Sequence, residues 1–277
     1  MKKLVLLILS FALSSQVFAQ EVSPKYLAEA LEMEKNFLLA VTTSLDGERL
    51  IGTTHYVRMS ASTPTFYIKK ARSCKNNPTV CTDEVVAKAL ASAQRFAADY
   101  NALVGKEVVT ISDESSWGSI PISLVSDISG GFLGKWYCRN DSGGRLGQCS
   151  IRARFDRYDI GRIVAHEMLN VLSIQDTRKL VFRNCLSFDG NNSTEFLDDY
   201  YGLCESEKKA IVFAFNHLRP GMRKGSIGKA FDKHWKPSEF TYALAAQLKE
   251  IDDARYSFCK RTKGPSCLKE FPSLKDS

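Results

Sequence analysis

Arg162 to Thr177 reads R-I-V-A-H-E-M-L-N-V-L-S-I-Q-D-T, with two polar residues, His166 and Glu167, in the middle of an apolar run. Ile163, Val164, Met168, Val171 and Leu172 recur at three- and four-residue steps. That spacing predicts a helix, and the density of apolar residues predicts that it is buried. A histidine and a glutamate inside a buried helix cost free energy unless each finds a partner. Polar chemistry is therefore expected at this segment before anywhere else.

What chemistry follows depends on the next turn. In H-E-x-x-H, two imidazoles one turn apart share a helix face and reach one metal ion, and the glutamate polarises a metal-bound water. Here the residue one turn after His166 is Asn170. The string from His166 to Asp176, H-E-x-x-N-x-x-S-x-x-D, resembles the H-E-x-x-H-x-x-G-x-x-H/D motif of the metzincins, the matrixin-like zinc metallopeptidases especially. The flanking I-V-A-H-E-M-L-x-V-L-x-I-x-D is also similar to the active-site helix of bacterial matrixin-like proteins.

The resemblance implies zinc as cofactor, with His166 and Asp176 at the first and third ligand positions and Glu167 as general base. Asn170 falls on the second ligand, a degenerate choice, and Ser173 on the helix-breaking glycine. A neutral amide oxygen is a poor ligand for a metal that prefers imidazole or thiolate, so zinc affinity is expected to fall severely. His55, His217 and His234 are the other histidines, and His217, on the last helix of the resembling region, is the nearest substitute ligand. Leu197 stands where the family's turn methionine belongs, followed by Tyr200 and Tyr201.

The chain opens with M-K-K, a leucine-rich core and V-F-A before Gln20. This predicts a secretory signal peptide over 1–19 and an exported protein, periplasmic or extracellular. No later run is long or apolar enough to insert stably in a membrane. The formal charge of +7 becomes +5 without Lys2 and Lys3, and the basic residues form no long block, so no nucleic-acid partner is expected. All eight cysteines follow residue 19, an even count that predicts disulfides. Eight cysteines allow on the order of a hundred connectivities. Pairing of neighbours (74–81, 138–149, 185–204, 259–267) is expected because each pair brackets a loop-like segment.

The expected fold is α+β: a zincin-like domain with a mixed sheet and long helices, plus a C-terminal helical extension. Residues 20–50 form an N-terminal helical segment, read as a packing helix in preference to a latency pro-segment. Residues 51–225 form the metzincin-like domain, and 226–277 a helical, disulfide-pinned extension. Within the domain, T-T-H-Y-V-R-M and T-F-Y-I read as strands, and Asp83 to Leu103 as a long amphipathic helix. Val108 to Ile111, Ile120 to Leu124 and Ser150 to Phe155 alternate as strands, with a Gly-rich hairpin before the last. Glu205 to Leu218 and Pro237 to Tyr256 read as helices. Strand, helix, strands, then the His166 helix is the order of the upper half of a metzincin domain.

Other chemistries lack their residues. Ser173 is too near His166 and Asp176 in sequence for a serine triad, and no G-x-S-x-G elbow occurs. Paired cysteines leave no thiol nucleophile, and the glycines near Gly130 and Gly143 lack the G-K-[ST] of a phosphate loop. The functional expectation is a secreted, metzincin-like homologue with a degraded zinc site, catalytically silent, binding a peptide, protein or envelope component in the inherited cleft. The alternative is an active secreted zinc endopeptidase with an atypical ligand set.

Overall fold

The structure, a computed structural model, describes residues 23–43, 58–59, 63–140, 145–156, 160–172, 174, 176, 185–187 and 202–263. The signal-peptide expectation and the first five residues of the T-T-H-Y-V-R-M strand fall outside them. The chain divides into two units, Phe37–Trp235 and the pair of segments before and after it. The protein is α+β, with helices and a mixed sheet.

The larger unit is built on a six-stranded sheet. β1 is Arg58–Met59, β2 Thr65–Lys70, β3 Thr110–Ser112, β4 Ile120–Val125, β5 Gly134–Asn140 and β6 Arg145–Arg154. Across the sheet the order is β3, β2, β4, β6, with these strands parallel; β1 lies parallel to the first residues of β6. β5 runs antiparallel along β6, with a register shift between Cys138 and Asn140.

Phe66, Ile120, Ile122, Leu124, Ile151 and Ala153 point to one face and are buried. That face packs on two helices, α3 (Asp83–Val104) and α4 (Ile160–Val171), which follow α1 (Pro24–Thr43) and the short α2 (Arg72–Lys75). α3 starts where the Thr82 side chain accepts from Val85 N at 3.3 Å, with Asp83 and Glu84 in the first turn. Its buried side is Ala89, Ala93, Phe96, Ala97 and Tyr100, at helical spacing. Gly161 lets α4 come close to α3: a Cβ there would stand 3.1 Å from the Cβ of Ser92. Ten of the twelve residues of α4 are buried, which explains its nearly unbroken apolar sequence.

Two more helices complete this unit, α5 (Glu205–His217) and α6 (Lys224–His234). The second was not anticipated from the sequence. Three disulfides hold the unit, Cys74–Cys81, Cys138–Cys149 and Cys185–Cys204, each between sequence neighbours as expected. Cys259 is also disulfide-bonded; its expected partner, Cys267, lies outside the described residues.

In the smaller unit, the first part of α1 pairs with α7 (Glu239–Lys263) through Tyr26, Ala30, Leu244 and Ala245. Glu34 is buried there and accepts from Thr241 Oγ1 at 3.0 Å. No helix among the described residues is long and apolar enough to cross a membrane.

Candidate functional site

α4 carries Arg162, His166 and Asn170 at four-residue steps, and so on one face of the helix. The loop segment Cys185–Ser187 lies along that face. Arg162 Nη2 donates to the Cys185 carbonyl at 3.0 Å, and His166 Nδ1 lies 2.7 Å from the Leu186 carbonyl. A carbonyl only accepts, so Nδ1 carries a proton. The other ring nitrogen, Nε2, faces Asp176 Oδ1 at 3.0 Å. Asn170 Nδ2 donates to that same oxygen at 2.9 Å and stands 3.3 Å from His166 Nε2. The opposite amide orientation would set an oxygen against the carboxylate.

The charge state of His166 follows from these neighbours. Burial disfavours its charged form. The Asp176 carboxylate, by charge and hydrogen bond, overrides that, and Glu167 and the Leu186 carbonyl add to it. The imidazole is pushed up to about 10. At neutral pH both ring N–H groups therefore donate, one to Leu186 and one to Asp176, while Asn170 donates beside them.

A catalytic zinc takes three protein ligands and leaves one position open. His166 and Asp176 amount to two, and Asn170 turns its N–H2 group, not its oxygen, into the shared space. The residues present do not fit such a site. Among the described residues, three metal-capable side chains meet at Cys185, Cys204 and Glu207, but the two sulfurs are already bonded to each other.

Glu167 is buried on α4 beside the start of β5. A Cβ on Gly134 would stand 2.8 Å from Glu167 Cγ and 2.8 Å from Ile163 Cγ2. Glycine at that position is what allows the β5 backbone to lie against the helix.

The loop that orients His166 has its own support, which the sequence reading missed. Glu207 is fully buried, and its carboxylate accepts from the backbone N–H of Ser187 and, at 3.0 Å, of Cys204. Burial raises its pKa, while those backbone donors pull the other way. With the Cys185–Cys204 disulfide and Arg162, Glu207 fixes Leu186 from both sides. In the sequence it counted only as an acid at the start of a helix. The available signal was Cys204-x-x-Glu207, a capping box in which a cysteine takes the place of serine.

His217 sits apart from this cluster in its contacts. Its ring stacks on His234 with centroids 4.4 Å apart, beside Phe213. His55, Ser173, Leu197, Tyr200 and Tyr201 lie outside the described residues.

No protein-family model matches the chain, and no curated protein matches it. What distinguishes this helix is a hydrogen-bonded His166–Asp176 pair, its carboxylate partly exposed and its imidazole mostly buried, beside the start of β5.

Proposed function

We propose that this is an exported relative of the metzincin zinc peptidases whose metal site has degenerated, and that it binds an extended peptide segment of a protein or envelope component without cleaving it. The observation that carries the reading is the hydrogen bonding at the three ligand positions: His166 Nε2 and Asn170 Nδ2 both meet Asp176 Oδ1. The fold is consistent with the ancestry, since a strand, a long helix, strands and then the His166 helix follow in the order the resemblance implies. Disulfides are consistent with export.

The binding surface is the side of the sheet where β5 meets α4. β5 pairs with β6 and with no other strand among the described residues. Its outer edge carries backbone N–H and C=O groups that an incoming strand can pair with. Gly134 brings that edge against the helix turn holding Glu167. A peptide laid along β5 would gain main-chain hydrogen bonds there and specificity from the side chains around it.

The test is zinc content of the natural protein and of Asn170→His, purified from an oxidising compartment without chelator. The expected result is a natural protein with far less than one zinc per chain and a variant that gains zinc. About one zinc per natural chain would sink the proposal and favour the active peptidase. In that case Glu167→Ala should abolish proteolysis while leaving folding intact. If neither protein takes up zinc, the metzincin ancestry fails.

A further inference from the structure

The segment that follows α5 concentrates charge. Between Arg219 and Trp235 stand five cations, Arg219, Arg223, Lys224, Lys229 and Lys233, and one acid, Asp232. The whole chain has a formal charge of only +7, so this short segment holds more than half of the excess. All five cations are exposed, and none pairs with a carboxylate among the described residues. Lys229 and Lys233 stand one helical turn apart, a spacing at which like charges repel.

The fold fixes where these charges lie. α6 buries Ile227 and Phe231 against the core. At about 100° per residue, Lys229 falls opposite both of them, and Lys233 follows one turn later. Arg223 and Lys224 stand at the start of the helix, and Arg219 opens the turn before it. That turn is closed by the Met222 N–H on the Arg219 carbonyl at 3.1 Å, with Pro220 and Gly221 at its centre and Gly221 at a φ of 84°. Met222 and Trp235, one at each end of the helix, pack on the core and remain partly exposed.

We infer that this segment holds the protein on an anionic lipid surface, by charge and without insertion. The layout of the cations selects this occupant. Lys224 and Lys233 are about half a turn apart in rotation, so no single line passes over all five charges. A linear polyanion meets a few of them at a time. Anionic head groups move in a plane and gather beneath every cation, and the long stems of lysine and arginine extend their charges to that plane. Met222 and Trp235 suit the boundary of the head-group layer, where amphipathic rings are commonly placed. Trp235 offers no platform for a nucleic-acid base, because Phe231 stacks on it with centroids 4.7 Å apart and the Lys209 ammonium lies 4.5 Å from its centre. This surface stands whether or not the β5 edge takes a peptide.

The experiment is co-sedimentation of the chain, purified from an oxidising compartment, with vesicles rich in phosphatidylglycerol and with vesicles of phosphatidylcholine alone. Binding is expected to the first and not to the second, and it should weaken between about 50 and 200 mM salt as screening shortens. Each cation near an anionic surface contributes roughly fivefold in affinity, so Arg223→Gln/Lys229→Gln/Lys233→Gln should lose at least about tenfold with an unchanged melting curve. Lys229→Arg/Lys233→Arg keeps the charge and should bind like the natural chain.

A matched variant, Lys69→Gln/Lys75→Gln/Arg139→Gln, removes the same charge from other exposed positions of the larger unit and should bind nearly as the natural chain does. Equal loss in the two triple variants would overturn the inference, because net charge alone would then explain binding. Retained binding in the α6 variant would overturn it as well, as would loss in the lysine-to-arginine variant or equal binding to both kinds of vesicle. Polygalacturonate and single-stranded DNA serve as soluble comparisons, and tighter binding of either than of the vesicles, per anionic group, would also sink it.

Discussion

Asp176→Asn isolates the charge that holds the His166 network together. In the natural protein Asp176 Oδ1 receives His166 Nε2 at 3.0 Å and Asn170 Nδ2 at 2.9 Å. The substitution keeps an oxygen of the same size but removes the negative charge. With that charge present the imidazole is pushed up to about 10, against 6.5 for a free histidine. A displacement of that size corresponds to at most about 5 kcal/mol of preference for the charged ring. The Asp176 side chain is 41% exposed, so water screens the pair, and about 1–2 kcal/mol is the working figure.

The direction of the pH dependence follows from a folded pKa above the unfolded one. The pair's contribution is complete below about 6.5 and is lost as pH rises towards 10. Urea unfolding between about pH 6 and 10.5 should show the natural protein ahead of Asp176→Asn by about 1–2 kcal/mol at the acid end, with the gap closing at the alkaline end. NMR of the ring gives a direct check, because the chain has only 4 histidines. The His166 imidazolium should persist beyond pH 9 in the natural protein and be lost near or below the ordinary range in the variant. A natural His166 that deprotonates near 6.5, or a stability gap that does not change with pH, would refute the reasoning.

Other perturbations read the same site from different sides. Gly134→Ala drives a methyl group into Glu167 and Ile163 and should lower unfolding stability by about 1–3 kcal/mol, measured by urea denaturation. If stability is unchanged, the β5 backbone does not press on α4. Glu207→Ala leaves the backbone N–H groups of Ser187 and Cys204 without their acceptor and should cost about 2–4 kcal/mol. It should also speed amide exchange at Ser187. Unaltered exchange there would mean that the disulfide and Arg162 alone hold the loop.

The parts of this fold that were legible in the sequence are those whose signals are local. α4 and α3 show their buried faces as three- and four-residue spacing, and Thr82 followed by two acids marks where α3 begins. The three disulfides seen among the described residues join neighbours, so the bracketing of loops was enough to suggest them. α6 was missed because only Ile227 and Phe231 of its eleven residues are buried, and glycines at 225 and 228 weaken its helical signal. β6 begins five residues before its expected start because its early residues pair with β1 and β5, a long-range cause with no local trace. The clamp on His166 was hidden for the same reason. Its acceptors are the carbonyls of Cys185 and Leu186, and any residue type supplies a carbonyl.

Asn170 bears most on whether this site holds a metal or closes on itself. A metal needs lone pairs turned inward from each ligand position, and the ligands need deprotonated, neutral or anionic atoms there. The network needs the reverse: donors turned towards the one carboxylate. His166 can play either part, since Nδ1–H is fixed on Leu186 while Nε2 is free to carry a proton or a lone pair. Asp176 is an acceptor in both cases. Asn170, with its N–H2 on Asp176, contributes a donor where a metal site requires a lone pair, and it leaves the carboxylate to stabilise the imidazolium. It is the Asp176 carboxylate that keeps the proton on His166, while Arg162, Glu207 and the Cys185–Cys204 bridge hold the loop that orients the ring. The same surroundings would orient a ligand histidine, which is why Asn170→His is the substitution expected to bring a metal in.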